Sequence, residues 1–383
     1  MNATILVVAY CCLVIGAGYA VLNVIAIITW RLSRRQYTAD GSAPITVLKP
    51  LYGDEPGLYG QLRSFCRQDY GIFEVVFGVR DSRDPACSIV NRLMKEFPNL
   101  PIKLIINPQL HGTNYKVSNL INMLPHASFD LLVLADSDAF VAPDYLKNVT
   151  APLNDPGIGL VTCVYRGVPT QRVWSRLGAM YINEWYLPTV LVAWLFGHQG
   201  YVSGQTICLR RGTLREIGGF EALADHLADD YRMGELVRNL GLRIFLSPYP
   251  VIGEHHEPSL KAVIWHELRW MRTLRVLQPA SFCGLLLTFS LPLATLGILL
   301  AASEMHVSAS AWTLFAMTVL ARLVLHLAHR IQSNSPILID LWLLPLRDLL
   351  IFCVWCASFL VSRVTWRGSV FDIDSNGIMH RVS

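Results

Sequence analysis

Apolar residues follow two different rhythms along this chain. Residues 4–30, TILVVAYCCLVIGAGYAVLNVIAIITW, contain no charge and exceed the roughly 20 residues that a spanning helix needs. No Lys or Arg precedes the run, which is also too long for the core of a signal peptide, so it reads as an uncleaved membrane anchor. Unbroken apolarity returns after residue 280. SFCGLLLTFSLPLATLGILLAAS (281–303) and SAWTLFAMTVLARLVLHLAH (310–329) predict a helical hairpin. ILIDLWLLPLRDLLIFCVWCASFLV (337–361) is long enough to span but carries Asp340, Arg347 and Asp348. Charges at that depth must pair, face protein, or mark a re-entrant piece near the interface.

Residues 44–250 show the second rhythm, short β-rich runs alternating with amphipathic stretches. PITVLKP, FEVVFGVRD, IKLIINP, LLVLADSD, IGLVTCVY and RIFLSP predict strands. EPGLYGQLRSFCRQ, ACSIVNRLMKEF and KVSNLINML, lying between the early ones, have helical spacing. Strand–helix–strand repetition predicts an α/β fold, a mostly parallel sheet with helices on both faces. Ligands of such sheets sit beyond the carboxyl ends of the strands, where Lys49, Asp81, Asp136 and Asp138 fall. EWYLPTVLVAWLFG (184–197) is too short to span. Flanked by Trp and Tyr, it is either a core helix or a helix lying in the membrane interface.

Composition sharpens the division. With 53% hydrophobic and 16% charged among 383 residues, the chain is too apolar for an ordinary soluble protein. Arg31, Arg34 and Arg35 follow the first span and place the next stretch, about 250 residues, in the cytoplasm. The nine cysteines are scattered, and none has the spacing of a zinc site. A net charge of +4 without a basic, aromatic stripe argues against nucleic acid. No dinucleotide fingerprint or P-loop occurs.

Four clusters carry candidate chemistry. In DLLVLADSDAF a buried strand ends in Asp136-Ser137-Asp138. A surface turn would explain the residues individually, but carboxylates at i and i+2 share a side and together suit Mg²⁺ or Mn²⁺ with a substrate diphosphate. Asp81, in GVRDSRDP, is placed to accept from a uracil ring or ribose, or simply to cap or turn. Asp229 and Asp230 precede a helix in HLADDYRMGELVRNLG. One would suffice as a cap; a second points to a general base. WHELRWMRTLR sets Arg269, Arg272 and Arg275 along one helix side, with Trp265 and Trp270 interleaved. Part of that charge suits anionic lipid, and Arg269 with Trp270 also suits a leaving diphosphate and the floor of a sugar or lipid site. Lys116, in GTNYKVSNLI, is a second phosphate candidate.

In this order the motifs VLKPLYGDEPGLYGQLRSFCRQDY, GVRDSRDP, VLADSDAFV, SGQTICLRR, IGGF, LADDYRMGELVRNLGLR and HELRWMRTLR, over residues 45–278, resemble the inverting glycosyltransferases of family 2, in their ceramide-glucosyltransferase branch (family 21). HGTNYKVSNLINMLP, LGAMYINEWYLPTVLVA and PLRDLLIFCVW are most similar to the bacterial hopanoid-biosynthesis-associated members. The resemblance implies a GT-A type nucleotide-sugar domain over 40–278, between an anchor at 1–31 and about three membrane helices within 281–362, with a tail at 363–383. It assigns Asp81 to the nucleotide, Asp138 with Asp136 to the metal, and Asp230, with Asp229 beside it, to catalysis. Lys49, Lys116, His266, Arg269 and Trp270 are donor-binding candidates. His266 stands where the family has Gln or Arg, and an imidazole is not permanently charged.

The implied enzyme sits in a bacterial inner membrane with its catalytic domain in the cytoplasm. It moves a sugar from a UDP-sugar to a lipid hydroxyl, with Mg²⁺ or Mn²⁺ as cofactor. The first expectation is N-acetylglucosamine transfer to a hopanoid polyol (bacteriohopanetetrol); the alternative is a ceramide glucosyltransferase using UDP-glucose. A reading from another class is a membrane transport or scaffold protein in which Arg322, His326, Arg347 and Asp348 line a polar path.

Overall fold

The structure is a computed structural model and describes residues 2–33, 37, 43–170, 172–198, 200–304, 307–333, 338–360, 364–366, 369–374 and 377–381. It divides into two compact units, one of residues 1–34, 169–197 and 257–367, the other of 35–168, 198–256 and 368–383. The expected domain over 40–278 is therefore cut differently, since 169–197 and 257–278 belong to the helical unit. Of Arg31, Arg34 and Arg35, on which the sidedness expectation rests, the last two lie outside the described residues.

Among the described residues the main sheet of the α/β unit has eight strands: β1 (Ile45–Pro50), β2 (Phe73–Val79), β3 (Ile102–Ile106), β4 (Leu131–Leu134), β5 (Ala139–Phe140), β6 (Ile158–Pro169), β7 (Ile207–Arg210) and β8 (Arg243–His255). Their order is β3-β2-β1-β4-β7-β6-β8-β5. The half containing β3, β2, β1 and β4 is parallel. Beyond it, β7 runs antiparallel to β4 and β6, and β5 antiparallel to β8. The sheet is thus mixed. Every residue of β1 is buried, as a strand covered on both faces must be.

Period-two alternation sorts β1 between two cores. Ile45 and Val47 join Val75, Phe77 and Val133 against Leu62, Phe65 and Val90 of the helices Leu58–Cys66 and Ala86–Glu96. Leu48 joins Val76, Leu132 and Leu134 on the other face, against Val117, Leu120, Met233 and Val237 of the helices Tyr115–Met123 and Asp229–Asn239. Two strands escape the sequence pattern, because β5 is two residues long and β7 four. β8 outruns its expected end: Pro248 and Pro250 signal a stop, yet the strand continues past them to pair Gly253 with Ala139.

Among the described residues of the helical unit three helices are long and apolar enough to cross a membrane: Ala3–Leu32, Ala309–Ile331 and Leu341–Ser358. A fourth span exists if the bent pair Pro279–Thr288 and Ser290–Ser303 counts as one. The stretch 281–303, read as one arm of a helical hairpin, is divided between these two helices, which meet at a bend of 62°. Pro292 has no N–H for the Thr288 carbonyl, and its ring would clash with that carbonyl in a continuous helix. Small residues let the first helix approach Ser290–Ser303 closely. A Cβ on Gly16 would lie 2.7 Å from the Ser290 carbonyl oxygen, and one on Gly297 2.7 Å from that of Ala9. Residues 184–197 belong to this unit, where Trp194 meets Trp30 edge-on at 4.7 Å and Tyr19 donates to Thr189.

Several buried charges of the helical unit are paired, as their depth requires. Arg347 holds Glu267 through two bonds of 2.6 and 2.7 Å. Arg322 bridges Glu184 at 2.8 Å and Asp348 at 2.8 and 3.0 Å, and His326 meets Glu184 at 2.9 Å. Asp340 accepts from Arg330 and Arg176. The four groups read as a polar path, Arg322, His326, Arg347 and Asp348, each have a partner within this unit.

Candidate active site

The carboxyl ends of β1, β2 and β4 lie at one edge of the parallel half, and the acidic residues gather beyond it. β4 ends at Leu134, and the chain turns so that the Ala139 N–H donates to the Asp136 carbonyl. Lys49, read from the sequence as a donor contact, is completely buried beneath this turn. Its ammonium donates to the Asp136 carbonyl oxygen and lies over the Phe65 ring, 3.8 Å from the centroid. Burial pulls the amine down to about 7, against the attraction of Asp138, Asp136 and Glu55. Lys49 therefore positions the Asp136–Asp138 turn from below.

Lys116 stands at the centre of the cluster. It enters on the first turn of Tyr115–Met123, where the Asn114 side chain accepts from the backbone N–H of Lys116 and Val117, the usual service of an N-cap. Its ammonium lies 2.8 Å from Asp136 Oδ1 and 3.2 Å from Asp229 Oδ2. Burial alone would lower its pKa, but Asp136, Asp229 and Asp230 together hold it well above its ordinary value. A lysine so placed joins two motifs more than 90 residues apart in the sequence.

Asp229 and Asp230 form the first turn of Asp229–Asn239, whose start has no side-chain cap. Asp229 is buried, whereas Asp230 is half-buried. Asp230 accepts from the Tyr231 N–H at 2.8 Å and the Gly204 N–H at 2.9 Å. Burial, then the neighbouring Asp229, push its carboxyl up to about 6 despite Lys116. Burial and Asp136 likewise raise Asp138, whose Oδ1 accepts from Gln205 Nε2 at 3.1 Å.

Gly204 and Gln205 were not singled out as site residues by sequence reasoning; their only signal was the SGQT motif. Gly204 also accepts from the Asp136 N–H at 3.2 Å, so its peptide links both acidic segments. A Cβ there would lie 2.9 Å from Asp136 Oδ2 and 3.1 Å from the Lys116 ammonium. Gly204→Ala is expected to leave the fold intact and lower kcat by roughly 10- to 100-fold, since small misplacements at a reacting centre have effects of that order. Steady-state kinetics alongside a thermal melt check it; wild-type kcat would exclude a tight fit at Gly204.

Asp81, two residues beyond β2, is exposed and bound to Arg83 through Nε at 3.2 Å, Nη2 at 2.9 Å and the backbone N–H at 2.9 Å. The Arg83 side-chain bonds, then that N–H, pull its carboxyl down to about 2. The helix at Ala86 takes its carboxylate cap from Asp84 instead. His266, Arg269 and Trp270 lie on Leu260–Leu277 in the helical unit. His266 Nδ1 meets Glu257 at 3.1 Å and its ring packs 4.1 Å from that of Trp270. Trp270 in turn packs on Tyr181, and the Arg269 guanidinium lies 5.9 Å from its ring.

Among the described residues no three His, Cys, Asp or Glu side chains form a complete metal cage. Asp136 and Asp138 nevertheless fit a hard divalent ion of the kind that takes one or two carboxylates and draws its other oxygens from phosphate and water. Gln205 Oε1, beside Asp138, is buried without a partner, so the cluster has acceptor capacity to spare.

A family model described as Glycosyl transferase family 21 matches residues 8–379. Ceramide glucosyltransferase 1 of Caenorhabditis elegans is 25% identical over 258 residues, which cover 64% of this chain and 55% of that protein. Ceramide glucosyltransferase 3 of the same organism is 25% identical over 358 residues, covering 88% and 74%. The chain thus spans about half the length of the first relative. Among solved structures, the mannosyltransferase PcManGT from Pyrobaculum calidifontis, in complex with GDP-Man and Mn²⁺, aligns with a TM-score of 0.56 and 21% identity over 93% of this chain and 99% of that one. That likeness supports the fold: a GT-A-like mixed sheet with an N-terminal helix and several C-terminal apolar helices.

Proposed function

The chain belongs to glycosyl transferase family 21, and from that membership we propose that it transfers a hexose from a UDP-sugar to a hydroxyl of a membrane lipid. The observation that carries the reading is the gathering of Asp136, Asp229 and Asp230 around Lys116 and Gly204, with Asp138 held by the adjoining Gln205. Asp230 takes the proton of the acceptor hydroxyl. The freed oxygen attacks the anomeric carbon, the bond to UDP breaks, and a single displacement inverts that carbon. Asp229, paired with Lys116, fixes the lysine between the two acidic segments. Asp81, beyond β2, serves the nucleotide.

Asp136 and Asp138 are the residues that would hold a divalent cation, Mg²⁺ or Mn²⁺. Bound there, it offsets the charge of the departing diphosphate. Asp138→Asn is expected to keep the fold and abolish turnover, because a neutral amide is a poor ligand for a hard cation. Full activity in that variant, or in wild type with EDTA, removes the cation from the proposal.

For the acceptor, the two Caenorhabditis relatives carry the name ceramide glucosyltransferase, which favours glucose and a ceramide over N-acetylglucosamine and a hopanoid polyol. The deciding experiment incubates the purified full chain with UDP-glucose or UDP-N-acetylglucosamine against ceramide or bacteriohopanetetrol, with products read by mass spectrometry. Glucosylceramide is expected. Absence of a sugar–lipid product from every combination overturns the proposal.

A further inference from the structure

The residues that lead into the acidic pair Asp229 and Asp230 are held from two directions. Thr113 binds the Asp225 carboxylate at Oδ1, through its N–H at 2.8 Å and its hydroxyl at 3.1 Å. The Asn114 N–H donates to the Ala224 carbonyl at 2.8 Å, and Asn114 Nδ2 to the His226 carbonyl at 2.8 Å. Asn114 caps the helix that carries Lys116, so these bonds tie the approach to Asp229 to the lysine that Asp229 meets.

The second direction is a hairpin far along the sequence. Strands Ser369–Ile373 and Met379–Arg381 pair antiparallel, and Phe371 and Met379 are each 1% exposed. Asp374 closes the hairpin: one oxygen accepts from the Ile378 N–H at 3.0 Å, and the other meets His380 Nε2 at 3.1 Å. Met379–Arg381 is an outer strand of its small sheet, and such an edge carries backbone groups in need of partners. His226 and Ile378 form an antiparallel bridge there. The Leu227 N–H donates to the Gly377 carbonyl at 3.0 Å, and the Met379 N–H to the Asp225 carbonyl at 2.9 Å. Asp225 is therefore the joint, with its side chain on Thr113 and its carbonyl on the hairpin. Only Ala228 separates this braced segment from Asp229.

We infer that the C-terminal hairpin, acting through Asp225 as a positioning residue, sets the Asp229–Asp230 pair against Lys116 for turnover. The inference rests on the reading of Asp230 as the base. It is tested on the full chain with UDP-glucose and ceramide. Asp225→Ala is expected to lower kcat about ten-fold or more and to leave KM for UDP-glucose within about two-fold, the pattern of a misplaced reacting group. Both Thr113 bonds end on one oxygen, so the amide of Asp225→Asn can accept them and should restore most of the rate. Met379→Pro lacks the N–H that reaches Asp225 and should share the alanine pattern, whereas Met379→Leu keeps that N–H and should not. Wild-type kcat in Asp225→Ala or Met379→Pro, an effect on KM alone, or an asparagine variant as slow as alanine overturns the inference. If the variants do not fold, hydrogen exchange of the wild-type chain decides. The Leu227 and Met379 amides should be protected to the same degree and open together. A Met379 amide exchanging freely beside a protected Leu227 would show that the hairpin does not hold the segment. Coupled exchange in a wild type that transfers no sugar leaves the brace standing and overturns the enzymatic reading alone.

Discussion

Asp230→Asn is expected to lower kcat by at least about 10² while donor affinity stays near wild type, because a general base acts in the transition state and not in ground-state binding of the sugar nucleotide. We take Asp230 as the base in preference to its neighbour. Asp229 is buried against Lys116, whereas Asp230 is more accessible and held by two backbone N–H groups. Its pKa, pushed up to about 6 by burial and then by Asp229, brings the base closer to the proton it must take. The sign follows from the role: the carboxylate must be ionised to act, so wild-type kcat/KM should fall as pH drops through about 6. The residual activity of Asp230→Asn should lack that acidic limb. A pH–rate series on wild type, Asp230→Asn and Asp229→Asn checks it. If Asp229→Asn is the inactive variant and Asp230→Asn keeps the limb, the assignment within the pair is reversed.

The same raised pKa acts on stability in the opposite direction. A carboxyl that binds its proton more tightly folded than unfolded stabilises the fold fully below its ordinary value of about 4. That contribution is lost as pH rises through about 6. The ionised base needed for turnover is thus also the state that strains the cluster, and Lys116 limits that strain.

Much of this architecture was legible because strong local patterns agreed with the fold. Buried strands such as ITVLKP and FEVVFGV are mostly apolar, with Thr46 bonded to Glu74 between them, and polar residues follow at their carboxyl ends. The residues at those ends, Lys49, Asp81, Asp136 and Asp138, were found by that rule alone. Their division of labour was not, since it depends on depth: Lys49 lies under the turn, while Asp81 is out in solvent with Arg83. Gly204 and Gln205 were hidden because what they offer is a backbone N–H and an amide in the turn ahead of a four-residue strand. The bend at Phe289 was masked by a hydropathy pattern insensitive to one proline. Glu184 and Glu267 went unread for the opposite reason: each is an ordinary acid in its own segment, and only the fold brings it to an arginine far away in the sequence.

Arg347→Ala is expected to cost about 3–5 kcal/mol of stability, the usual effect of removing one member of a buried ion pair. Arg347 and Glu267 are 1% and 2% exposed, and their two parallel bonds are supplemented by a third from Arg347 to the Leu177 carbonyl at 3.2 Å. One guanidinium therefore ties Leu344–Ser358 to both Leu260–Leu277 and Val173–Tyr181. Deleting it leaves the Glu267 carboxylate buried and uncompensated as well as opening a cavity. The penalty belongs to the orphaned charge more than to the lost bonds, which makes a second variant informative. Replacing both partners by apolar residues of similar volume, Arg347→Met with Glu267→Leu, should recover most of the loss, because no charge then remains to be solvated. A double-mutant cycle on detergent-solubilised protein, by reversible chemical denaturation, separates the two causes. An Arg347→Ala protein within about 1 kcal/mol of wild type, at the level of an exposed pair, would show that Glu267 reaches water in solution. A double variant as unstable as the single one would instead assign the loss to packing.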